Sequence, residues 1–388
     1  MATFKLWKLG VTVLIFLFLA LASVVIALNV AVYGGGRFYS SLPLYAAGSA
    51  FAVFVLWIFG MFSLKSRSTI SVLVLVVFGA TVTGYEMNRS YTNSFARIAD
   101  NEVDLRKYEP FMGSKYIAKL PKPSSLSIHG DLPKLDGATA LYPVYSSFVE
   151  ATYPAGQYPF NEGSVVCSTT SRAFENLIDG SADVIFCAQP SKKQIDEAYK
   201  KGISFQLTPI GREAFVFFDN VRNPVSSVTS EQIKGIYSGK VRNWKELGGT
   251  STEIKAFQRP ENSGSQTILE RIMVGLAIAS PPKEDLIEGM GGIIEETAAY
   301  RNYPDSIGYS FLFFATEMVK ENQIKLLRID GVEPSKLSIS DGTYPYSYDF
   351  YAITTERRSK NAQVLIDWIL SEEGQLLVET SGYTRLAK

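Results

Sequence analysis

Apolar positions run in long unbroken blocks at the start of this chain and in short, regularly spaced groups after it. The blocks cover about 11–32, 44–64 and 70–85. A helix needs about 20 apolar residues to cross the hydrocarbon of a bilayer. The first two blocks reach that length, and the third is shorter but nearly uncharged. The first is also too long for a cleaved signal peptide, and two more blocks follow it. Trp7, Tyr33, Tyr45 and Tyr85 lie near the block ends, where an interfacial aromatic belt belongs. Three transmembrane helices are therefore expected over 1–85. They carry no acids or bases in their apolar cores, so no ion pathway is expected through them. Lys5 and Lys8 precede the first block and Lys65-Ser66-Arg67 joins the second to the third, whereas the first loop holds only Arg37. By the positive-inside rule the N-terminus and the second loop face the cytoplasm, and everything after Tyr85 lies outside.

The stretch 86–130 is polar, with Pro110, Pro121 and Pro123, and reads as an extracytoplasmic linker; Tyr108, Phe111 and Tyr116 could pack part of it. From about 132 strand and helix patterns alternate. Strands are expected at 132–137, 164–167, 182–188, 214–218, 254–257, 307–313 and 348–354. Helices are expected at 140–152, 171–178, 192–200, 230–237, 266–274, 360–370 and 373–380. Such alternation predicts an α/β domain with a largely parallel sheet.

Composition narrows the chemistry. The 388 residues hold 38 acidic and 38 basic side chains, a balance that points to neither nucleic acid nor another polyanionic partner. The one histidine, His129, rules out multi-histidine metal sites and argues against a Ser-His-Asp triad, so neither a metal nor another cofactor is expected. Cys167 and Cys187 form no CxxC pair.

Three strand-to-helix junctions share one character: Gly137-Ala138-Thr139, Cys167-Ser168-Thr169-Thr170-Ser171-Arg172, and Arg259-Pro260-Glu261-Asn262-Ser263-Gly264-Ser265. Each is rich in small or hydroxyl residues just where a helix starts. A helix N-terminus presents N–H groups and partial positive charge, and small residues let the backbone approach a tetrahedral anion. Arg259 adds a permanent charge with a forked pair of donors. In open α/β sheets ligands bind beyond the carboxyl ends of strands, where three junctions could converge on one anion. The competing reading is three ordinary capped helices. An enzyme would need a base beside Ser263 or Ser265, and the loop holds neither histidine nor an adjacent lysine.

Leu135-Asp136-Gly137-Ala138-Thr139-Ala140-Leu141-Tyr142-Pro143 resembles the first binding loop of the phosphate-binding proteins that serve phosphate-specific ABC transporters. Gly235-Ile236-Tyr237-Ser238-Gly239-Lys240-Val241-Arg242-Asn243-Trp244 resembles the IYxGKIxxW segment of that family, with valine for isoleucine. Arg259 to Ser265 is similar to its RxDGSGT loop, and 306–312 to a late strand. The resemblance covers about 132 onward. It implies a two-lobed, periplasmic-binding-protein-like α/β domain over 131–388, preceded by three transmembrane α-helices. Lobe one would hold 131–218 and 344–388, and lobe two 219–343. It also implies the ligand-binding set Thr139, Ala140 through its N–H, Thr170, Arg259, Ser263, Gly264 and Ser265, with Glu261 steadying the arginine.

One departure bears on selectivity. Where the family carries an aspartate that accepts the proton of hydrogen phosphate, this chain has Ala188, followed by Gln189; Gln189 or Glu261 could act as that acceptor, and Arg172 replaces a glycine and could add charge nearby. A carboxylate there rejects sulfate, which has no proton to give. The resemblance thus implies a membrane-tethered, extracytoplasmic solute-binding protein, not an enzyme. Its partners would be inorganic phosphate, an ABC permease and the lipid bilayer. Two alternatives stay open: a binder of sulfate or another tetrahedral oxyanion, and a non-transport anion sensor or surface protein with a degenerate pocket.

Overall fold

A computed structural model describes residues 2–32, 36–94, 97–98, 103–259, 261–280, 300–301, 303–319 and 322–386. Tyr33 and Pro260, named above, lie outside these. The chain divides into two compact units, one holding Met1–Ser94 and the other Phe95–Pro282 and Thr297–Lys388.

The first unit is three helices: α1 (Ala2–Val32), α2 (Gly36–Ile58) and α3 (Leu64–Asn93). Their apolar stretches, Leu6–Ala31, Phe38–Ile58 and Leu64–Asn93, are long enough to cross a membrane. Lys8 Nζ donates to the Ile58 carbonyl at 2.6 Å and the Phe16 and Phe51 rings meet at 5.2 Å, so α1 and α2 run antiparallel. Two boundaries differ from the apolar pattern. The second helix stops at Ile58 because the chain turns through Gly60 and Phe62, both at positive φ, before Ser63 caps α3. The third continues to Asn93, since Glu86, Met87 and Arg89 sustain a helix that hydropathy alone cuts short.

The second unit follows, in chain order, as β1 (Arg97–Ile98), β2 (Leu135–Gly137), α4 (Tyr142–Thr152), α5 (Thr170–Asp179), β3 (Val184–Cys187), α6 (Lys192–Lys200), β4 (Gln206–Asn220), β5 (Ser227–Val228), α7 (Ser230–Tyr237), β6 (Lys255–Ala256), α8 (Gly264–Ile272), β7 (Tyr300–Arg301), β8 (Ser306–Phe311), β9 (Ile324–Leu326), β10 (Arg328–Ile329), α9 (Lys336–Ser340), β11 (Ser347–Thr354), α10 (Lys360–Ile369) and α11 (Glu372–Thr380). The main sheet runs β2-β3-β11-β4-β8-β6, with β9 also on β4.

This sheet is mixed rather than largely parallel. β2–β3 and β6–β8 pair parallel, but β4 and β11 pair antiparallel with each other and with their other neighbours in the sheet. The reason is β4. The expected strand at 214–218 in fact spans Gln206–Asn220, passing from one half of the unit to the other and pairing antiparallel with β11 along its first part. One half packs Tyr142, Tyr145, Phe148, Phe186, Phe350 and Trp368 into a core; the other packs Phe215, Phe217, Tyr237, Trp244, Leu269 and Ile307. Ala214–Phe218 already belong to the second core, so the two lobes meet inside β4. The expected strand at 164–167 is only a single bridge, Val165 to Leu135. Tyr108, Ile117 and Ile128 are buried in the first core, which makes much of 103–130 part of the folded lobe. Cys167 and Cys187 are buried free thiols.

Candidate functional site

At the first junction β2 must end in glycine. A Cβ on Gly137 would lie 2.6 Å from the Phe186 carbonyl oxygen and 2.9 Å from Tyr145 Cε1. The chain then makes one 3-10 turn, Thr139–Leu141, into α4, and no side chain caps that turn. Thr139 is buried, with its hydroxyl against the Cys167 thiol. Ala140 packs on the second core, and its carbonyl accepts from the Tyr383 hydroxyl.

The second junction hangs on Asp136, a fully buried carboxylate. Its oxygens accept from Ser168 N at 2.9 Å, the Ser168 hydroxyl, Asn176 Nδ2 at 2.7 Å and Gly137 N at 2.7 Å. Burial pushes this carboxyl up, and those four donors pull it back. Thr169 follows at φ 78°, ψ 162°, a region that only glycine enters freely. α5 begins at Thr170 with no side-chain cap on its first N–H groups. The helices α6, α7, α9, α10 and α11 each carry a Ser or Thr cap, so the bare starts of α5 and of the Thr139 turn stand apart.

The third junction leaves β6 through Phe257, whose N–H bonds the Ile307 carbonyl at 3.0 Å. Arg259 N donates to the Tyr309 hydroxyl at 2.9 Å and to Gln266 Oε1 at 3.1 Å, and that hydroxyl itself donates to Gln266. Ser263 caps α8 by accepting from Gln266 N at 3.2 Å. Of the three junctions this one fits the ordinary-cap reading. Beside Arg259 is a cavity of about 10 Å³ lined by Phe257, Gln258, Gly308, Tyr309 and Ser310, with room for about one water.

The second and third junctions touch. A Cβ on Gly264 would lie 3.3 Å from Thr170 Oγ1 and 3.8 Å from Ala188 Cβ. The start of α8 therefore abuts the start of α5, with the buried Ala188 beside Gly264. Ser265, at the second position of α8, is half-buried.

Three residues expected to support the site point elsewhere. Arg172 pairs with Glu175 at 3.2 Å with 67% of its side chain exposed, so its charge goes to the surface. Glu261 pairs with Lys193 at 3.0 Å and is 69% exposed, in place of the expected seat at Arg259. Gln189 Nε2 donates to the Tyr351 hydroxyl at 2.6 Å. The supports that sequence reasoning missed are Asp136, Tyr309 and Gln266. An acid at the end of an apolar strand was a usable signal for Asp136; nothing in the local pattern marked the other two. The Gly235–Trp244 segment is structural: Trp244 is fully buried, and its Nε1 donates to the Asp305 carbonyl at 2.8 Å. Among the described residues, no three His, Cys, Asp or Glu stand together as metal ligands.

The two-lobed α/β unit brings helix starts together across its lobes. Residues 133–373 match the family described as "PBP superfamily domain", more than half of the chain, and the chain belongs to that family. It is 29% identical over 206 residues to the phosphate-binding protein PstS of Bacillus subtilis, covering 53% of this chain and 63% of that one. It is 28% identical over 232 residues to PstS of Staphylococcus saprophyticus, covering 57% and 70%. An ABC-type phosphate transport receptor from Vibrio cholerae superposes with a TM-score of 0.46 at 17% identity, over 65% of this chain and 99% of the receptor. The chain thus spans less than two thirds of the B. subtilis relative, and its own N-terminal helices lie outside the matched family region.

Proposed function

We propose that this chain captures an inorganic oxyanion, phosphate foremost, between its two lobes and delivers it to an ABC permease. Thr139, the Ala140 N–H, Thr170, Arg259, Ser263, Gly264 and Ser265 would hold the anion. The observation that carries the reading is the contact of Gly264 with Thr170 and Ala188, where an uncapped α5 start faces α8. Uncapped N–H groups, hydroxyls and one guanidinium suit a compact anion. The names of the PstS relatives support phosphate. Titration calorimetry of the detergent-solubilised chain with phosphate and sulfate tests it; heat from neither anion refutes it.

Sulfate is the second reading, and one pattern favours it. Ala188 brings no carboxylate, Glu261 binds Lys193, Gln189 binds Tyr351, and the Asp136 oxygens are occupied by four donors. An anion that needs an acceptor for its proton gains little here.

The three apolar helices would tether the lobes to the membrane, with the second unit outside the cell, as the basic 65–67 loop indicates. Protease added to intact cells should remove the second unit. Survival in intact cells with cleavage after lysis would reverse this topology.

A further inference from the structure

The capping box that starts α6 has two donors to spare, and both are used across the cleft. Ser191 and Gln194 satisfy each other in the usual reciprocal way: Ser191 Oγ accepts from Gln194 N at 3.1 Å, and Ser191 N donates to Gln194 Oε1 at 2.8 Å. That leaves the Ser191 hydroxyl proton and the Gln194 amide. The hydroxyl donates to Asn262 Oδ1 at 2.8 Å, and Gln194 Nε2 donates to the Asn262 carbonyl at 3.2 Å. Ser191 and Gln194 are nearly fully buried, at 5% and 4% exposure. The matching box at α7, Thr229 with Gln232, is exposed to solvent.

Asn262 stands on the other lobe, in the loop before Ser263 and α8. Its φ of 65° is left-handed, a conformation that asparagine tolerates better than most residues. This turn aims its side chain and carbonyl together at the box. Two further contacts flank the seat: Lys193 to Glu261 at 3.0 Å and Arg271 Nη2 to the Pro190 carbonyl at 3.3 Å. The ion pair is more than half exposed and contributes little. The bonds to the buried box are shielded from water and carry more.

We propose that Asn262 is a plug and the α6 capping box its socket, holding the lobes shut and setting how long an anion stays. This rests on the proposed function for its ligand but not for its contacts. Asn262, Ser191 and Gln194 are thus positioning residues: they set the place of the Ser263–Ser265 turn relative to Thr170 without being asked to touch the anion.

Asn262→Gly tests this cleanly, because glycine keeps the left-handed turn and loses only the side-chain acceptor. Spin labels on Lys200→Cys and Lys240→Cys, one on each lobe, report the inter-lobe distance in the full chain in detergent; the native thiols are buried. Asn262→Gly should lengthen that distance distribution at an unchanged unfolding temperature. It should also speed phosphate or sulfate release about five- to tenfold, with the association rate within about twofold. Asn262→Asp, which keeps an acceptor and tolerates the turn, should restore the closed distance. Glu261→Gln should alter neither reading. Unchanged distances and release in Asn262→Gly overturn the plug. If neither anion binds the wild type, the functional reading fails, and the distance measurement still decides the plug.

Discussion

The two lobes meet at one cleft with different chemistry. The first contributes neutral groups: the turn at Thr139, the bare start of α5, the strained Thr169 and the apolar Ala188. The second contributes the charge, Arg259, on a backbone pinned by Tyr309 and Gln266, and a helix start that Ser263 already caps. A lobe of uncapped dipoles can shape a site for an anion, but it brings no net charge. The guanidinium is what should make the site strong. Where the lobes share β4, Glu213 is buried between them, and its Oε1 accepts from Ala214 N at 3.3 Å.

The largest expected effect is at that shared strand. Burial pushes the Glu213 carboxyl up to about 8, against hydrogen bonds from Phe313 and Ala214 and the charge of Lys336. The folded protein then holds a proton that the unfolded chain loses near pH 4.5. Stability from this group is therefore full below pH 4.5 and is lost as pH rises through about 8, by about 5 kcal/mol in all. Glu213→Gln should flatten that slope in denaturant unfolding at pH 5, 6.5 and 8; Asp219, pushed up to about 8 by burial despite Lys325, sets the residual slope.

Next comes the charge of the second lobe. Arg259→Ala should weaken anion binding by on the order of 3 kcal/mol, because a desolvated oxyanion loses its counter-charge. A loss of only a few-fold would mean that the neutral lobe does the binding and the contrast is wrong.

On the first lobe, Thr169→Gly should raise stability by about 1 kcal/mol by relieving the φ of 78°, as read by thermal unfolding. A fall would show that the threonine side chain secures the loop.

The last effect concerns selectivity rather than affinity or stability. Ala188→Asp would place an acceptor beside Thr170 and Gly264. It should raise the preference for phosphate over sulfate by about tenfold, the worth of one charged hydrogen bond. Equal sulfate binding by both proteins would show that position 188 does not face the anion.

Residue pattern alone determined a good deal. Unbroken apolar runs mark helices α1 to α3, because a run long enough to cross hydrocarbon has few other uses. Ser191-Lys192 and Thr229-Ser230 start α6 and α7 where a Ser or Thr cap predicts. The three junctions were legible because small residues at strand ends are a local signal. Tertiary structure decided what depends on partners distant in sequence. β4 became three times its apolar core because β11 and β8 extend its ladder, and its passage between lobes turned a sheet expected to be parallel into a mixed one. Asp136 found Ser168 and Asn176, and Tyr309 found Arg259 and Gln266, only once separate elements were packed. Arg172 and Glu261 looked suited to an anion site by position in the chain. Their directions depend on which way a helix or loop faces, and near ion pairs with Glu175 and Lys193 turned both to solvent.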